Sequence, residues 1–242
     1  MTFARYASRD TRYEIMLRAV IFDFDGVITD SEILHFRAFN QVLAQHGIEL
    51  TKDDYYKTYL GFNDADCYKL LISQGLLKTD KQRIKNLIEE KKRIFEQLAK
   101  AEGKMIEGVR DFLNMLEQNN IPMAICSGAL LTEVEMVLED ARLRHLFEVI
   151  VSGEQVKKGK PHPEGFLLSL QRLNENRKNP ITAKQCIAIE DSHWGLEAAK
   201  AAGMHTIAVT NSYDAEQLSM AEKIVNRLND LSMDDLQQLC SN

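Results

Sequence analysis

Several classes of protein are excluded by what this chain has little of. Its four cysteines, Cys67, Cys126, Cys186 and Cys240, show no C-x-x-C spacing and no partner histidine cluster, so neither a disulfide scaffold nor a zinc module is indicated. Cys126 and Cys186 sit inside apolar runs and read as buried free thiols. A reducing cytoplasm fits that reading. No run approaches the roughly eighteen apolar residues of a membrane span. The start, residues 1–18, is mixed and polar and has no signal-peptide core. There is no basic excess either: 30 Lys and Arg against 36 Asp and Glu give a net charge of −6. That argues against a general nucleic-acid binder, which carries a basic footprint. It also means that an anionic substrate has to be drawn in by local charge. Internal repeats and low-complexity tracts are missing. The expectation is a cytoplasmic protein with neither nucleic acid nor membrane as partner.

What is present is organised around one stretch, Ala19-Val20-Ile21-Phe22-Asp23-Phe24-Asp25-Gly26-Val27. Val20, Ile21 and Phe22 read as a buried strand. In an extended chain residues i and i+2 point the same way, so Asp23 and Asp25 project together from the strand's carboxyl end. That end is where open α/β sheets place their sites. Two adjacent carboxylates repel unless a cation stands with them, and Mg²⁺, a hard ion that takes oxygen ligands and phosphate, answers that need. The plain alternative is a strand running into a solvated acidic turn.

At 242 residues the chain can bury a large core, as one domain with an insertion or as two small ones. Residues 1–16 are set apart as an N-terminal appendage. From Ser31, a candidate N-cap, Ile33, Phe36, Phe39 and Leu43 recur at helical spacing until Gly47. Thr51 caps a short helix to Tyr59, and Asp64–Gln74 is helical again. Asp80–Ala101 reads as a long helix with Ile84, Leu87, Ile88, Ile94, Phe95 and Leu98 as its apolar stripe and a solvent-facing charged side. From Met105 the pattern alternates. Helices are expected at Val109–Gln118, Leu131–Glu139, Phe166–Leu173, Trp194–Ala202 and Met233–Leu239. Strands are expected at Ile121–Cys126, Phe147–Val151, Cys186–Ile189 and Thr206–Val209. Such alternation predicts an α/β fold: a Rossmann-like parallel sheet with helices on both faces, plus an inserted all-helical cap. The expected core is 17–30 with 105–242, and the expected cap is 31–104.

The first four strands end in, or lead into, polar clusters: Asp23 and Asp25, Ser127-Gly128, the lysines 157, 158 and 160, and Glu190-Asp191. In a parallel sheet these ends converge on one crevice. A carboxylate can attack phosphorus, and Asp23, rigidly held at its strand end, suits that role. Asp25 suits the acid that protonates the leaving oxygen and then takes a proton from water. Mg²⁺ and Lys160 can neutralise anion attacking anion. Ser127 and the amides after it can hold phosphate oxygens at a helix start. Asp191 can complete the metal shell.

These residues resemble the haloacid dehalogenase-like superfamily of phosphotransferases, in the subfamily with a helical cap after the first motif. The resemblance spans Leu17 to Asn242. Asp23-Phe24-Asp25-Gly26-Val27 matches the nucleophile motif, Ser127 the second motif, Lys160 in Gly159-Lys160-Pro161 the third, and Glu190-Asp191-Ser192 with Gly195 the acidic fourth. The resemblance implies Asp23 as nucleophile and Asp25 as acid/base. It implies Mg²⁺ held by Asp23, Asp191 and the Asp25 carbonyl, with Glu190 of the same acidic motif counted among the metal-binding residues. An acid at Asp25 points to phosphate monoesters, for which the acceleration needed can reach on the order of 10²¹-fold.

Asp30-Ser31-Glu32 followed by His35-Phe36-Arg37 looks like the β-phosphoglucomutase and phosphoglycolate phosphatase branch, where a histidine matching His35 lies near the acid. The stretch Gly61-Phe62-Asn63-Asp64 departs from the mutase pattern, with Asp64 where a basic residue is expected. An acid there repels a second phosphate. The reading is therefore a Mg²⁺-dependent phosphatase of a small phosphorylated metabolite, with a phosphosugar mutase and a non-catalytic phospho-ligand module as alternatives. His35, Gly61, Phe62 and Asn63 are cap candidates for substrate contact, weighed against a structural histidine and an ordinary helix-breaking turn. Trp194 is read as packing.

Overall fold

In a computed structural model that describes residues 16–60, 62–79, 81–102 and 105–241, strand β1 (Ala19–Phe22) lies in the middle of a six-stranded sheet. The other strands are β2 (Met123–Cys126), β3 (Val149–Val151), β4 (Cys186–Glu190), β5 (His205–Val209) and β6 (Lys223–Val225). The order is β3-β2-β1-β4-β5-β6, and every pairing is parallel. Val20 stands beside Met123 on one side and Ile187 on the other, so the carboxyl ends of β1, β2 and β4 are level.

Helices cover both faces. Val20 and Phe22 point into a cluster with Phe112, Leu113 and Leu116 of α5 (Val109–Gln118), Val134 and Leu138 of α6 (Leu131–Asp140) and Leu236 of α9 (Met233–Cys240). Ala19 and Ile21 point the opposite way, towards Phe166 and Leu173 of α7 (Glu164–Asn174) and Ala198 and Ala199 of α8 (His193–Ala201). That two-sided burial is why the strands read as continuous apolar runs without alternation. β6 was not among the expected strands. It is an edge strand of three half-buried residues, too short for a pattern to register.

Between β1 and α5 the chain forms α1 (Glu32–Ala44), α2 (Lys52–Thr58), α3 (Asp64–Ser73) and α4 (Lys81–Glu102). These helices have a core of their own around Phe39, Tyr55, Tyr59, Tyr68, Leu71 and Leu87. Thr51 and Asn63 cap α2 and α3 by accepting the Asp54 and Asp66 amides. The insert leaves and returns at one place: Thr29 bridges Met105, and the Ile106 amide donates to the Ile28 carbonyl at 3.1 Å. All four cysteines are buried and free. Among the described residues no helix is long and apolar enough to cross a membrane. The residues 1–15 of the expected appendage lie outside the described ones.

Candidate active site

Asp23 follows β1 directly, and its amide donates to Ile189 of β4 at 2.9 Å, which fixes its backbone at the sheet's carboxyl edge. Its carboxylate accepts from Lys160 Nζ. The same ammonium is 2.5 Å from Glu190 Oε1. Burial would depress the Lys160 ammonium, but the charges of Asp23 and Glu190 outweigh it and keep the group protonated. Lys160 precedes Pro161 through a cis peptide bond.

Glu190 is wholly buried, and its second oxygen accepts from the Asp191 and Ser192 amides and the Ser192 hydroxyl. Both oxygens are therefore engaged, one by Lys160 and the other by the start of α8. Gly195 lies against this carboxylate: a Cβ there would meet Glu190 Cδ and Oε1 at 1.9 Å. Glu190 is pinned at both ends and cannot yield. We expect Gly195→Ala to lower the melting temperature by about 10 °C, read by circular dichroism; an unchanged melt would show that Glu190 is free to move.

Asp191 accepts from the Ser212 hydroxyl. Gly26, at φ +80°, passes so close that a Cβ would lie 1.8 Å from Asp191 Oδ2. Asp23, Glu190 and Asp191 offer carboxylate oxygens within 4.8 Å of one another, all buried. Burial, with Glu190 and Asp25 adding charge, pushes the Asp23 carboxyl up to about 8. Burial and the charges of Asp23 and Glu190 hold Asp191 well above the carboxylate range. Lys160 alone does not balance this charge, and the donors are all oxygen. The cluster therefore fits a hard divalent cation such as Mg²⁺.

Asp25 is held differently. The Ser31 hydroxyl donates to it, and His35 Nε2 stands 3.7 Å from its Oδ1. Ser31 was expected to cap α1, but its backbone is helical and its side chain makes no cap bond, because the hydroxyl is turned to Asp25. Burial pushes Asp25 up, yet His35, Ser31 and the positive charge of Lys91 outweigh it, and the carboxyl lies below its ordinary value. His35 stacks on Phe95 with ring centroids 4.0 Å apart. Its Nδ1 is 2.6 Å from Lys91 Nζ. An ammonium cannot accept a hydrogen bond, so Nδ1 accepts and the ring proton sits on Nε2, towards Asp25.

Ser127 Oγ follows β2 and accepts the Ala129 amide at 2.9 Å, which leaves its own proton to donate. Asp23, Asp25, His35, Lys91, Ser127, Lys160 and Asp191 open on one cavity of about 620 Å³, which Gly128, Lys157, Lys158, Phe62, Asn63 and Trp194 also line, while Glu190 and Ser31 are buried behind that wall. Asn63 has its amide committed to capping α3. Phe62 is half exposed. Gly61 lies outside the described residues.

Lys91 and Glu133 were not anticipated from the sequence. The charged side of α4 was expected to face solvent, yet Lys91 is buried and reaches both His35 and Asp64. The signal was available, since Lys91 falls at helical spacing inside the stripe Ile84, Leu87, Ile88, Ile94, Phe95. Glu133 on α6 is buried beside the cavity, with one oxygen on the Leu130 amide and the other without a hydrogen-bond partner among the described residues.

A parallel sheet whose first strand delivers two carboxylates, answered by a lysine and an acidic pair from later strands, defines a class of hydrolase. The sequence model of the haloacid dehalogenase-like hydrolase family matches residues 20–209, and the chain belongs to that family. A phosphorylated carbohydrates phosphatase of Thermotoga maritima is 35% identical, over 79% of this chain and 84% of its own length. Fructose-1-phosphate phosphatase of Escherichia coli is 27% identical, over 78% and 95%. The crystal structure of β-phosphoglucomutase from Clostridium difficile superposes with a TM-score of 0.81 at 26% identity, covering 93% of this chain and 97% of that one.

Proposed function

We propose that the protein hydrolyses a small phosphomonoester, a phosphorylated sugar or similar metabolite, through an aspartyl phosphate on Asp23. The observation that carries this reading is the pair of carboxylates with opposed surroundings. Asp23 lies against Lys160, and Asp25 is held two residues along by Ser31 beside His35. A bound Mg²⁺, held by Asp23, Asp191 and the Asp25 carbonyl, would neutralise phosphate charge. Glu190 serves by holding Lys160 and the start of α8. Ser127 and the amides at Gly128 receive phosphate oxygens.

The carboxylate of Asp23 attacks phosphorus and the ester P–O bond breaks. Asp25, ionised in the free protein, takes up a proton when a phosphate dianion comes beside it, and gives that proton to the leaving oxygen. Water then attacks the phosphorus of the acyl phosphate and loses its proton to Asp25. Inorganic phosphate leaves and the Asp23 carboxylate is restored. Residues 31–104 act as a cap over the cavity, excluding bulk water during both steps. The relatives named for phosphorylated carbohydrates and fructose 1-phosphate support a sugar-phosphate substrate.

The test is phosphate release from a panel of phosphorylated metabolites, with Mg²⁺ and with chelator. Release from at least one ester, lost in chelator and restored by Mg²⁺, is the expected result. The panel includes β-glucose 1-phosphate: its conversion to glucose 6-phosphate without net release would replace the phosphatase by a mutase. Binding without turnover of any ester would leave the non-catalytic reading.

A further inference from the structure

The cavity contains a second buried cation besides Lys160, one that bears on the reaction through its charge and its contact with His35. Lys91 is 3% exposed, and its Nζ lies 2.9 Å from Asp64 Oδ1. Burial would lower this ammonium, but the charges of Asp64, Glu133 and Glu32 outweigh it and keep it protonated. Asp64 is also the first residue of α3, and its side chain stays 25% exposed, on the cavity wall. The first turn of a helix presents unpaired N–H groups and a positive dipole end, which suits an anion. Here Asp64 and Asp66 occupy that turn, and Asn63 takes the Asp66 amide. Both positive features of this wall are thus answered by the chain's own carboxylates.

We propose that Asp64 determines specificity: by engaging Lys91 it withholds that cation from a second phosphate, so the substrate carries one phosphate on an uncharged, hydroxyl-bearing remainder. This deepens the phosphatase reading and rests on it. A hydroxyl can donate to the exposed Asp64 carboxylate, whereas a phosphate or carboxylate placed there meets a like charge and a cation already taken. With Asp64 neutral, Lys91 would stand in the cavity wall with its strongest counter-charge gone, and would attract an anion.

The test compares kcat/KM for fructose 1-phosphate and fructose 1,6-bisphosphate, the same ester with and without a second phosphate. It is made in the wild type, in Asp64→Asn, and in Asp64→Asn combined with Lys91→Met. The ratio is the readout, because Lys91 also touches His35 and either change can slow both reactions. The wild type is expected to favour the monophosphate. Asp64→Asn should raise the bisphosphate-to-monophosphate ratio by at least about tenfold, and added salt should shrink that gain. The gain should vanish in the double variant. Asp64→Ser serves if the asparagine variant does not fold. A ratio that moves less than twofold in a variant melting like the wild type, or a gain that survives loss of Lys91, would overturn the proposal. Wild-type preference for the bisphosphate would overturn it outright. Turnover of the monoester with an unmoved ratio leaves the phosphatase reading standing; no turnover of any ester in the panel removes both.

Discussion

Asp23→Asn should reduce kcat by at least about 10⁴-fold while leaving the fold intact, since loss of a nucleophile is among the largest single-residue effects in catalysis. Asparagine keeps the shape of the side chain and removes the attacking oxygen's charge. Stability should not fall. A carboxyl pushed up to about 8 is harder to ionise in the folded chain than in the unfolded one. Its titration therefore works against folding once the pH is above the unfolded value, and most strongly above the folded one. In chelator at neutral pH the asparagine variant should melt at or above the wild-type temperature. Trapping a phosphorylated intermediate from labelled substrate in the wild type, and not in the variant, checks the role of Asp23. A kcat within tenfold of wild type would remove Asp23 from it.

The second large effect is expected at Lys160. Its ammonium is the cation common to Asp23 and to Glu190, which is fully buried. Lys160→Met leaves the buried Glu190 carboxylate without its cation, and breaking a buried ion pair from one side costs about 3–5 kcal/mol. Urea unfolding should register that loss, and phosphate release should fall by about 10³-fold or more, on the scale of a lost electrostatic stabiliser. A second change separates the two consequences. Lys160→Met with Glu190→Gln removes the orphaned charge, so it should recover most of the stability and none of the activity. Recovery of activity in the double variant would mean that Lys160 serves the fold and not the reaction.

Much of the architecture could be read from the chain because the sheet is buried on both faces. Apolar runs at β1, β2 and β4 stand out, and each hands its polar residues to the same edge. Asp23, Asp25, Ser127, Lys160 and Asp191 are brought together from far apart by that rule alone. The remaining features are hidden in the sequence for local reasons. β6 is short and half-buried, so it has no run to detect. Ser212, which donates to Asp191, follows β5 in a stretch with no motif. Ser31 looked like a cap because serine before a helix commonly is one, and only the position of Asp25 shows its hydroxyl spent elsewhere. Lys91 was assigned to a solvated face because charged residues crowd α4; its place in the apolar stripe was the better guide. Asp64 was identified as an acid that repels phosphate, but its pairing with Lys91 is a contact across 27 residues that no spacing rule gives.

The bridge between Thr29 and Met105 has a consequence for how such a protein can be altered. The two connectors leave the sheet side by side, so the gap that a replacement must span is one strand spacing, about 5 Å. Closing so small a gap demands almost nothing of whatever lies between, and long insertions add little to the closure cost. Closure of the chain thus places little demand on the sequence between the two connectors. A different bundle could be spliced at the same two points with the strands unchanged, provided that it again brought Asp25 the hydroxyl and imidazole that Ser31 and His35 supply.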